Sequence, residues 1–237
     1  MGIDVGFLER IAEIGRRLGL FPGCSVLILG DCKFYTPWSC ENNREDLSYF
    51  KELFGLLRAE TIDVAGSPSI RLDLQKPLPS ELSNQFDLII DAGTLFWCFD
   101  VAAVLENCLS MMKDRGTIIH LCALTGHFGR GYYNIHPKLF RDFYVQNGFE
   151  ILSTEVRVHK QMNRLANFQR KFWDWRGRSV GSYVPIGKDA LFLKNANFVS
   201  MEFTNEVAAQ APMLPNDALF LCAATREQRL AFVRPIP

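Results

Sequence analysis

The sequence lacks the features that mark several classes of protein. Lys and Arg together number 26, as do Asp and Glu, so the formal net charge is +0. A dedicated nucleic-acid binder usually has a basic excess instead. No apolar run approaches the roughly 20 residues that a membrane-spanning helix needs. The first 20 residues have the apolar spacing of a helix with early acids, not the pattern of a signal peptide. Gly6 stands where myristoylation would require Ser or Thr. We therefore expect no nucleic-acid or membrane partner.

The cysteine pattern also excludes a common kind of site. The chain has seven cysteines, an odd number, and no two of them have C-x-x-C spacing. This pattern disfavours both a zinc site and the disulfide framework of a small secreted protein. We predict no bound metal, and a reduced cytoplasmic protein in which cysteine serves as a small core residue.

Apolar patterning predicts a single α/β domain over residues 1–237. Continuous or alternating apolar runs predict seven strands, at 24–30, 59–66, 69–79, 86–93, 116–124, 149–158 and 217–226. Helical spacing separates them, at 4–19, 44–57, 100–114 and 136–148, and we expect Asp100 to cap the third of these helices. Strands that alternate with helices indicate a mostly parallel sheet with helices packed on it.

One stretch interrupts this alternation. Residues 159–189 are basic and aromatic and contain Trp173, Trp175 and Tyr183. The composition is consistent with an inserted cap or lid over a site. An ordinary solvated helix with an apolar face explains it equally well.

Small and acidic residues follow four of the predicted strands. They are Gly30 and Asp31, then Asp63, then Asp73, and finally the run from Asp91 to Thr94. In open α/β sheets, ligands bind outside the carboxyl ends of the strands. We therefore expect a ligand crevice at these four ends, with the Asp91 carboxylate facing into it.

Two further segments give a specific resemblance. The stretches "DAGTLFW" (91–97) and "GYYNIHPKLFRDFY" (131–144) resemble D-G-G-T-L-E-H-like and G-F-Y-Q-F-S-P-like motifs. Those motifs occur in a bacterial small-molecule branch of the class I S-adenosylmethionine (SAM)-dependent methyltransferases. The resemblance covers roughly residues 23–155, and a weaker resemblance is present at 218–226. It implies a Rossmann-like class I methyltransferase fold with a seven-stranded, mostly parallel sheet, helices on both faces and an inserted cap.

The resemblance also implies a role for each strand end. Gly30, with Asp31 beside it, corresponds to the turn that approaches the amino-acid end of SAM, where a residue without Cβ allows close contact. Asp63 corresponds to the acid that binds the ribose hydroxyls, and Asp73 to a position facing the adenine. The turn of Asp91, Ala92 and Gly93 corresponds to the region beside the methionine moiety. For Asp31 and Asp73, a purely structural role in a cap or turn is the favoured alternative.

The sequence departs from the family pattern in two places. The first turn, "LGDCKFYTP" (29–37), lacks the usual G-x-G spacing, and Phe96-Trp97 replaces the usual Glu-His. Aromatic faces attract cations, and the SAM sulfonium is a cation. Trp97 is therefore the better candidate for a cofactor contact, and packing of both rings in the core is the alternative.

The loop after the fifth strand supplies the candidate catalytic groups. "TGHFGRGYYN" (125–134) contains His127, Tyr132, Tyr133 and Asn134. A histidine can act as a general base near neutral pH. We predict a structural role for His120, which is central in a strand, and a helix-capping role for His136.

These features predict a cytoplasmic SAM-dependent enzyme that methylates a small molecule in biosynthesis. The first alternative keeps SAM but makes it the sole substrate, which cyclises to azetidine-2-carboxylate and releases methylthioadenosine. Tyr132, Tyr133 or Asn134 would then hold the neutral amine. The second alternative is a non-catalytic protein that uses the same fold to bind a partner. The acceptor and the oligomeric state stay open.

Overall fold

The computed structural model describes residues 2–40, 42–127, 130–157, 218–227 and 230–235, together with the backbone of 198–200. Four α-helices lie in these ranges: α1 (Val5–Arg17), α2 (Asn43–Leu53), α3 (Val101–Met111) and α4 (Pro137–Gln146). The strands are β1 (Gly2–Asp4), β2 (Ser25–Leu29), β3 (Lys33–Tyr35), β4 (Arg58–Asp63), β5 (Ile70–Arg71), β6 (Phe86–Asp91), β7 (Met112–Ala123), β8 (Phe149–Arg157), β9 (Phe198–Ser200) and β10 (Leu219–Arg226).

Eight of these strands form one central sheet. Their order across the sheet is β5-β4-β2-β6-β7-β10-β8-β9. The strands from β5 to β7 pair in parallel, whereas β10 runs antiparallel to both β7 and β8. The order reverses between β2 and β6, because the chain builds outward from β2 to β5 and then returns to the other side of β2. The carboxyl ends of β2, β4 and β6 therefore meet at one edge, where ligands bind in sheets of this kind.

Two apolar cores cover the two faces of the sheet. Leu27 of β2 belongs to the core that includes buried residues of α3 and α4. Val26 and Ile28 belong to the other core, with α1 and α2. Successive strand residues point to opposite faces. A strand covered on both faces must therefore be apolar on both, as residues 26–29 of β2 are.

Helix starts follow the predicted capping chemistry. The Asp100 carboxylate accepts a hydrogen bond from the Ala103 amide at 3.0 Å and caps α3, as predicted. His136 Nδ1 accepts from the Lys138 amide at 3.1 Å at the start of α4, whose first residue is Pro137. The capping role predicted for His136 is therefore confirmed.

A second, two-stranded sheet was not predicted. β1 pairs in parallel with β3, with Ile3 opposite Phe34. Both of these side chains are buried in the core that contains α1 and α2. The pairing holds the start of the chain against the segment that follows the first turn of the large sheet.

The main expectations for the sheet and its helices are confirmed, with two adjustments. All seven predicted strands are present, although the third contains only Ile70 and Arg71. The short strand β9 adds an eighth at the edge beside β8. The segment 159–189, which was predicted to form a cap, lies outside the described residues.

All seven cysteines are free, and all but Cys40 and Cys98 are buried. Among the described helices, none is long and apolar enough to cross a membrane.

Candidate active site

A cavity of about 370 Å³ opens at the carboxyl ends of β2, β4 and β6. This size lies in the ordinary range for small-molecule sites. The structure brings seven of the eight predicted cofactor-binding residues to its wall: Gly30, Asp31, Asp63, Asp73, Ala92, Gly93 and Trp97. Residues that are up to 67 positions apart in the sequence, from 30 to 97, are thus gathered around one space.

The turn after β2 requires glycine. Gly30 has φ +90°, which L side chains rarely adopt, and a Cβ there would lie 2.5 Å from Thr94 Oγ1. The Thr94 hydroxyl donates to the Leu29 carbonyl at 2.7 Å. The turns after β2 and β6 are therefore in direct contact, and Gly30 leaves its backbone open to the cavity.

Asp63 ends β4 and supports the turn beside it. Its Oδ2 accepts a hydrogen bond from the Asp31 amide at 2.7 Å, and its Oδ1 accepts from the Ala65 amide at 3.2 Å. A carboxylate has about four acceptor positions. Asp63 can therefore hold this turn and still accept hydrogen bonds from a ligand in the cavity.

Asp31 and Asp73 have evident structural partners, as their favoured alternative predicted. The Asp31 carboxylate accepts from the Asn43 side chain at 3.1 Å and from the Ser67 amide at 3.0 Å. The Asp73 carboxylate accepts from the backbone amide and the side chain of Gln75 at 3.0 and 3.2 Å. Both nevertheless line the cavity, so each contributes negative charge to it.

The cavity wall is acidic. Asp31, Asp63 and Asp73 line it, and no Lys, Arg or His is among the described residues that do so. Charges near a partly enclosed space interact more strongly than they do in bulk water. The cavity therefore favours a ligand with net positive charge, or one with hydroxyl and amine donors, over an anion.

Asp91, the eighth predicted residue, does not line the cavity but lies beneath it, fully buried. Its Oδ1 accepts from the amides of Gly93, Thr94 and Leu95 at 3.0, 2.6 and 3.3 Å. The carboxylate therefore shapes the turn that forms the cavity floor. It turns back toward the sheet instead of facing the crevice, contrary to the orientation we expected from the sequence.

The other oxygen of Asp91 belongs to a buried polar chain. Asp91 Oδ2 lies 2.8 Å from His120 Nδ1 and 3.3 Å from Cys122 Sγ. His120 Nε2 lies 2.5 Å from the Tyr144 hydroxyl, on α4. Because a carboxylate only accepts, His120 Nδ1 carries the hydrogen between them. The structural role predicted for His120 is confirmed by these contacts.

This buried chain of hydrogen bonds sets the protonation states of Asp91 and Tyr144, the residues at its two ends. Burial alone would raise the pKa of the Asp91 carboxyl. The hydrogen bond and the electrostatic interaction with His120, aided by Thr94 and Cys122, instead hold the pKa below its ordinary value of 3.8. Burial raises the pKa of the Tyr144 hydroxyl well above its ordinary value. Asp91 thus stays ionised and Tyr144 stays protonated near neutral pH.

Three groups of this cluster could also hold a metal ion. The ligand atoms of Asp91, His120 and Cys122 lie within 4.8 Å of one another. The separation of 2.8 Å between His120 Nδ1 and Asp91 Oδ2, however, is an ordinary hydrogen-bond distance. The geometry is thus that of a hydrogen-bonded group.

The two aromatics after β6 have different environments. Phe96 is fully buried, whereas Trp97 is 46% exposed and lines the cavity. Their ring centroids are 5.9 Å apart. Core packing therefore accounts for Phe96, and Trp97 is the ring that a ligand in the cavity can contact.

The predicted catalytic residues lie outside the cavity wall. His127 is buried, and its ring lies 6.3 Å from that of Phe96. Tyr132, Tyr133 and Asn134 are exposed. The amides of Tyr132 and Tyr133 both donate to the Phe96 carbonyl, at 2.8 and 3.3 Å. The structure thus places this loop beside the turn that carries Trp97.

Sequence reasoning missed three polar or thiol groups in the wall, Cys32, Gln75 and Cys98, and it placed Thr94 at the crevice without giving it a role. Thr94 belongs to the small-residue turn after β6, which was a usable signal. Gln75 joins two segments, since its side chain donates to Asp73 and accepts from the Asp100 amide at 2.9 Å. Nothing in the local sequence distinguishes Gln75 or Cys98 as site residues.

Sheet order, the antiparallel β10 and the position of the cavity define a Rossmann-like class I methyltransferase fold. The chain is similar in structure to a SAM-dependent methyltransferase from Archaeoglobus fulgidus, with 11% identity over 92% of this chain and 94% of that one, at a TM-score of 0.50. It is also similar to a protein from Galdieria sulphuraria assigned as a sarcosine dimethylglycine methyltransferase, with 12% identity over 94% of this chain and 85% of that one, at a TM-score of 0.51. A protein from Bacillus halodurans assigned as a methyltransferase has 10% identity over 92% of this chain and 99% of its own, at a TM-score of 0.50. At these identities the likeness shows the fold. No family model and no curated protein sequence matches the chain.

Proposed function

We propose that this protein is an enzyme that binds SAM in the acidic cavity and transfers its methyl group to a small molecule. The observation that carries the proposal is the set of carboxylates Asp31, Asp63 and Asp73 around a cavity at the ends of β2 and β4, with no basic residue among its described lining. SAM has a positive charge at sulfur and another at its amino group, against one carboxylate. Its net charge therefore complements this wall.

The residues present fit the parts of SAM. Asp63 would accept hydrogen bonds from the two ribose hydroxyls, because it is the last residue of β4 and its carboxylate still has unoccupied acceptor positions. The open backbone at Gly30 would adjoin the amino-acid end, and Asp73 would adjoin the adenine. Trp97 would present its ring to the sulfonium or to the adenine.

When bound, SAM supplies a methyl group on a sulfonium: the carbon–sulfur bond breaks as a nucleophilic electron pair of the acceptor forms the new bond, and S-adenosylhomocysteine leaves. The acceptor's proton goes to water or to a nearby base. The residues of the chain contribute mainly by position, since alignment of donor and acceptor in one line supplies much of the rate in such displacements. The carboxylate of Asp91 acts indirectly, by fixing the turn from Gly93 to Leu95.

Calorimetric titration of SAM into variants of Asp63 tests the cavity assignment. Asp63→Ala should weaken SAM binding by about 1–3 kcal/mol, because it removes charge-assisted hydrogen bonds. Asp87→Ala is the matched control. Asp87 lies near the amino end of β6, away from the cavity lining, and its carboxylate accepts two hydrogen bonds, from the Ser25 amide and from Lys113 Nζ, both at 2.8 Å. Equal loss of SAM affinity in both variants would contradict the assignment.

Mass spectrometry of the products tests the reaction. Incubation with methyl-labelled SAM and a panel of small acceptors should give labelled acceptor and S-adenosylhomocysteine. If SAM alone gives methylthioadenosine and azetidine-2-carboxylate, the cyclisation alternative replaces methyl transfer. If neither SAM nor S-adenosylhomocysteine binds in calorimetry, the protein is a non-catalytic member of this fold class.

A further inference from the structure

Four large aromatic side chains lie exposed beside the cavity. Trp97, Phe99, Tyr132 and Tyr133 are 46%, 73%, 69% and 37% exposed in the described part of the chain. We refer to these four residues as the aromatic shelf. Aromatic side chains contribute much of the binding energy where they become buried. A group of exposed rings next to a cavity is therefore the kind of surface that a ligand covers.

Three rings of the shelf, those of Phe99, Tyr132 and Tyr133, contact one another. Phe99 and Tyr132 meet edge to face with centroids 6.0 Å apart, and Tyr133 lies 6.5 Å from Phe99. The Tyr133 hydroxyl donates to the Phe99 carbonyl at 3.1 Å. These contacts bring together residues of two distant loops, 34 positions apart. These three side chains thus support each other, and Trp97 packs beside them against Phe96, whose ring centroid is 5.9 Å from its own.

The shelf continues directly into the cavity. Trp97 and Cys98 line the cavity, and Phe99 is the next residue in the chain. The amides of Tyr132 and Tyr133 donate to the carbonyl of Phe96, which directly precedes Trp97. A molecule that covers the shelf therefore lies next to a ligand in the cavity.

Glycine permits this close approach. Gly131 has φ +70°, and a Cβ at this position would lie 2.3 Å from the Phe96 ring. Any other residue would push the loop away from Phe96. The sequence Gly131-Tyr132-Tyr133 therefore folds the two tyrosines against the turn that carries Trp97.

We propose that the aromatic shelf binds the methyl acceptor and that this acceptor carries a planar aromatic ring. The proposal rests on the proposed function and names its substrate class. A methyl acceptor needs a nucleophilic electron pair, which a quaternary ammonium lacks. None of the four shelf residues carries a charge that would hold an anionic chain. A neutral aromatic ring with an oxygen, nitrogen or electron-rich carbon nucleophile satisfies both conditions and stacks on exposed rings.

The size of the shelf favours a small molecule over a protein. A stable protein interface covers about 800 Å² on each partner. A fully buried aromatic side chain accounts for about 150–250 Å². The four rings are only partly exposed, so together they present less than such an interface needs.

A pair of ligands that differ only in aromaticity tests the proposal. Saturation-transfer NMR with the full chain and S-adenosylhomocysteine would compare 2-naphthol with decahydro-2-naphthol, and tetramethylammonium would serve as a cationic probe. We expect 2-naphthol to bind about threefold to tenfold more tightly than its saturated analogue, which is the advantage of an aromatic pair. Equal binding of the two, or preferential binding of tetramethylammonium, would overturn the proposal.

Variants of the shelf locate the binding. Phe99→Leu and Tyr132→Leu should each abolish the preference for 2-naphthol and leave SAM affinity within about twofold, because neither residue lines the cavity. Tyr49→Leu is the control, since Tyr49 is 45% exposed and pairs with Trp38 on another surface. A preference that survives both shelf variants would overturn the proposal. Failure of the wild type to bind SAM would instead overturn the proposed function, so the two failures are distinguishable.

Discussion

His120 Nδ1 lies 2.8 Å from Asp91 Oδ2, and both side chains are fully buried at the centre of the sheet. Their strands, β6 and β7, are neighbours, with Asp91 opposite His120 in register. Asp91 also holds the turn that forms the cavity floor. The pair therefore joins the core of the sheet to the shape of the site.

Replacement of Asp91 should reduce stability. Asp91→Asn removes the charge that His120, Cys122 and three backbone amides share, and breaking a buried pair costs about 3–5 kcal/mol. Denaturant unfolding at neutral pH measures this loss. Asp142→Asn, on an exposed ion pair with Lys138, should change stability by about 1 kcal/mol or less. Similar losses in both variants would mean that the buried pair contributes little.

The same pair predicts a dependence on pH. The pKa of Asp91 is lower in the folded protein than its ordinary value of 3.8, so the unfolded chain binds this proton more tightly. Its contribution is therefore complete above 3.8 and is lost as the pH falls through the folded pKa. Wild-type stability should fall more between about pH 7 and about pH 3 than that of Asp91→Asn. Parallel curves for the two proteins would contradict this assignment.

The turn at Gly30 makes a steric prediction. Gly30→Ala should lower stability by more than the ~1–2 kcal/mol cost of a left-handed residue, because its Cβ would also displace Thr94. It should weaken SAM binding by about tenfold or more, ~1.4 kcal/mol. Gly19→Ala is the matched control, since Gly19 has φ +65° with no atom within 4 Å of the added Cβ. If both variants bind SAM as the wild type does, Gly30 does not shape the site.

Much of the fold could be predicted because its signals are local. The continuous apolar run of β2 and the capping residue Asp100 each identify an element from neighbouring residues alone. The pair β1 and β3 escaped prediction because strands of three residues are too short to show a period. The strand β5 was predicted too long for a related reason, since its flanking prolines mark a loop end without fixing where pairing stops.

The site was predictable in part, for a different reason. Acids at strand ends are visible in the sequence, and Asp31, Asp63 and Asp73 do line the cavity. The orientation of Asp91 depends on His120 and Tyr144, and His120 lies 29 positions from Asp91 and 24 from Tyr144. These partners come from three elements whose register is set only by the folded sheet. No local pattern could therefore show that Asp91 faces inward.

Alkylation of the cavity thiol, Cys98, can report ligand binding without an activity assay. Cys98 lines the cavity and is partly exposed, and burial raises its pKa to about 12. Alkylation at about pH 9 should be slow at Cys98, because the thiolate fraction falls about tenfold for each pH unit below the pKa. SAM should slow it further, several-fold, by covering the thiol. Cys40, which is exposed and outside this cavity, is the internal control. Peptide mapping that shows no effect of SAM on Cys98, or an equal effect on both, would exclude ligand contact there.

Trp97 makes a prediction about the charge of the ligand. Trp97→Leu keeps an apolar side chain but removes the ring, whose attraction for a cation is worth about 0.5–2 kcal/mol. SAM is cationic at sulfur and S-adenosylhomocysteine is not. The variant should therefore lose more affinity for SAM than for S-adenosylhomocysteine, by about threefold or more. Trp38→Leu is the control, because Trp38 packs against Phe34 and Tyr49 outside this cavity. Trp97→Leu could instead reduce the affinity for both ligands equally. The ring would then contribute only apolar contact area, and the acidic wall alone would account for any preference for the cation.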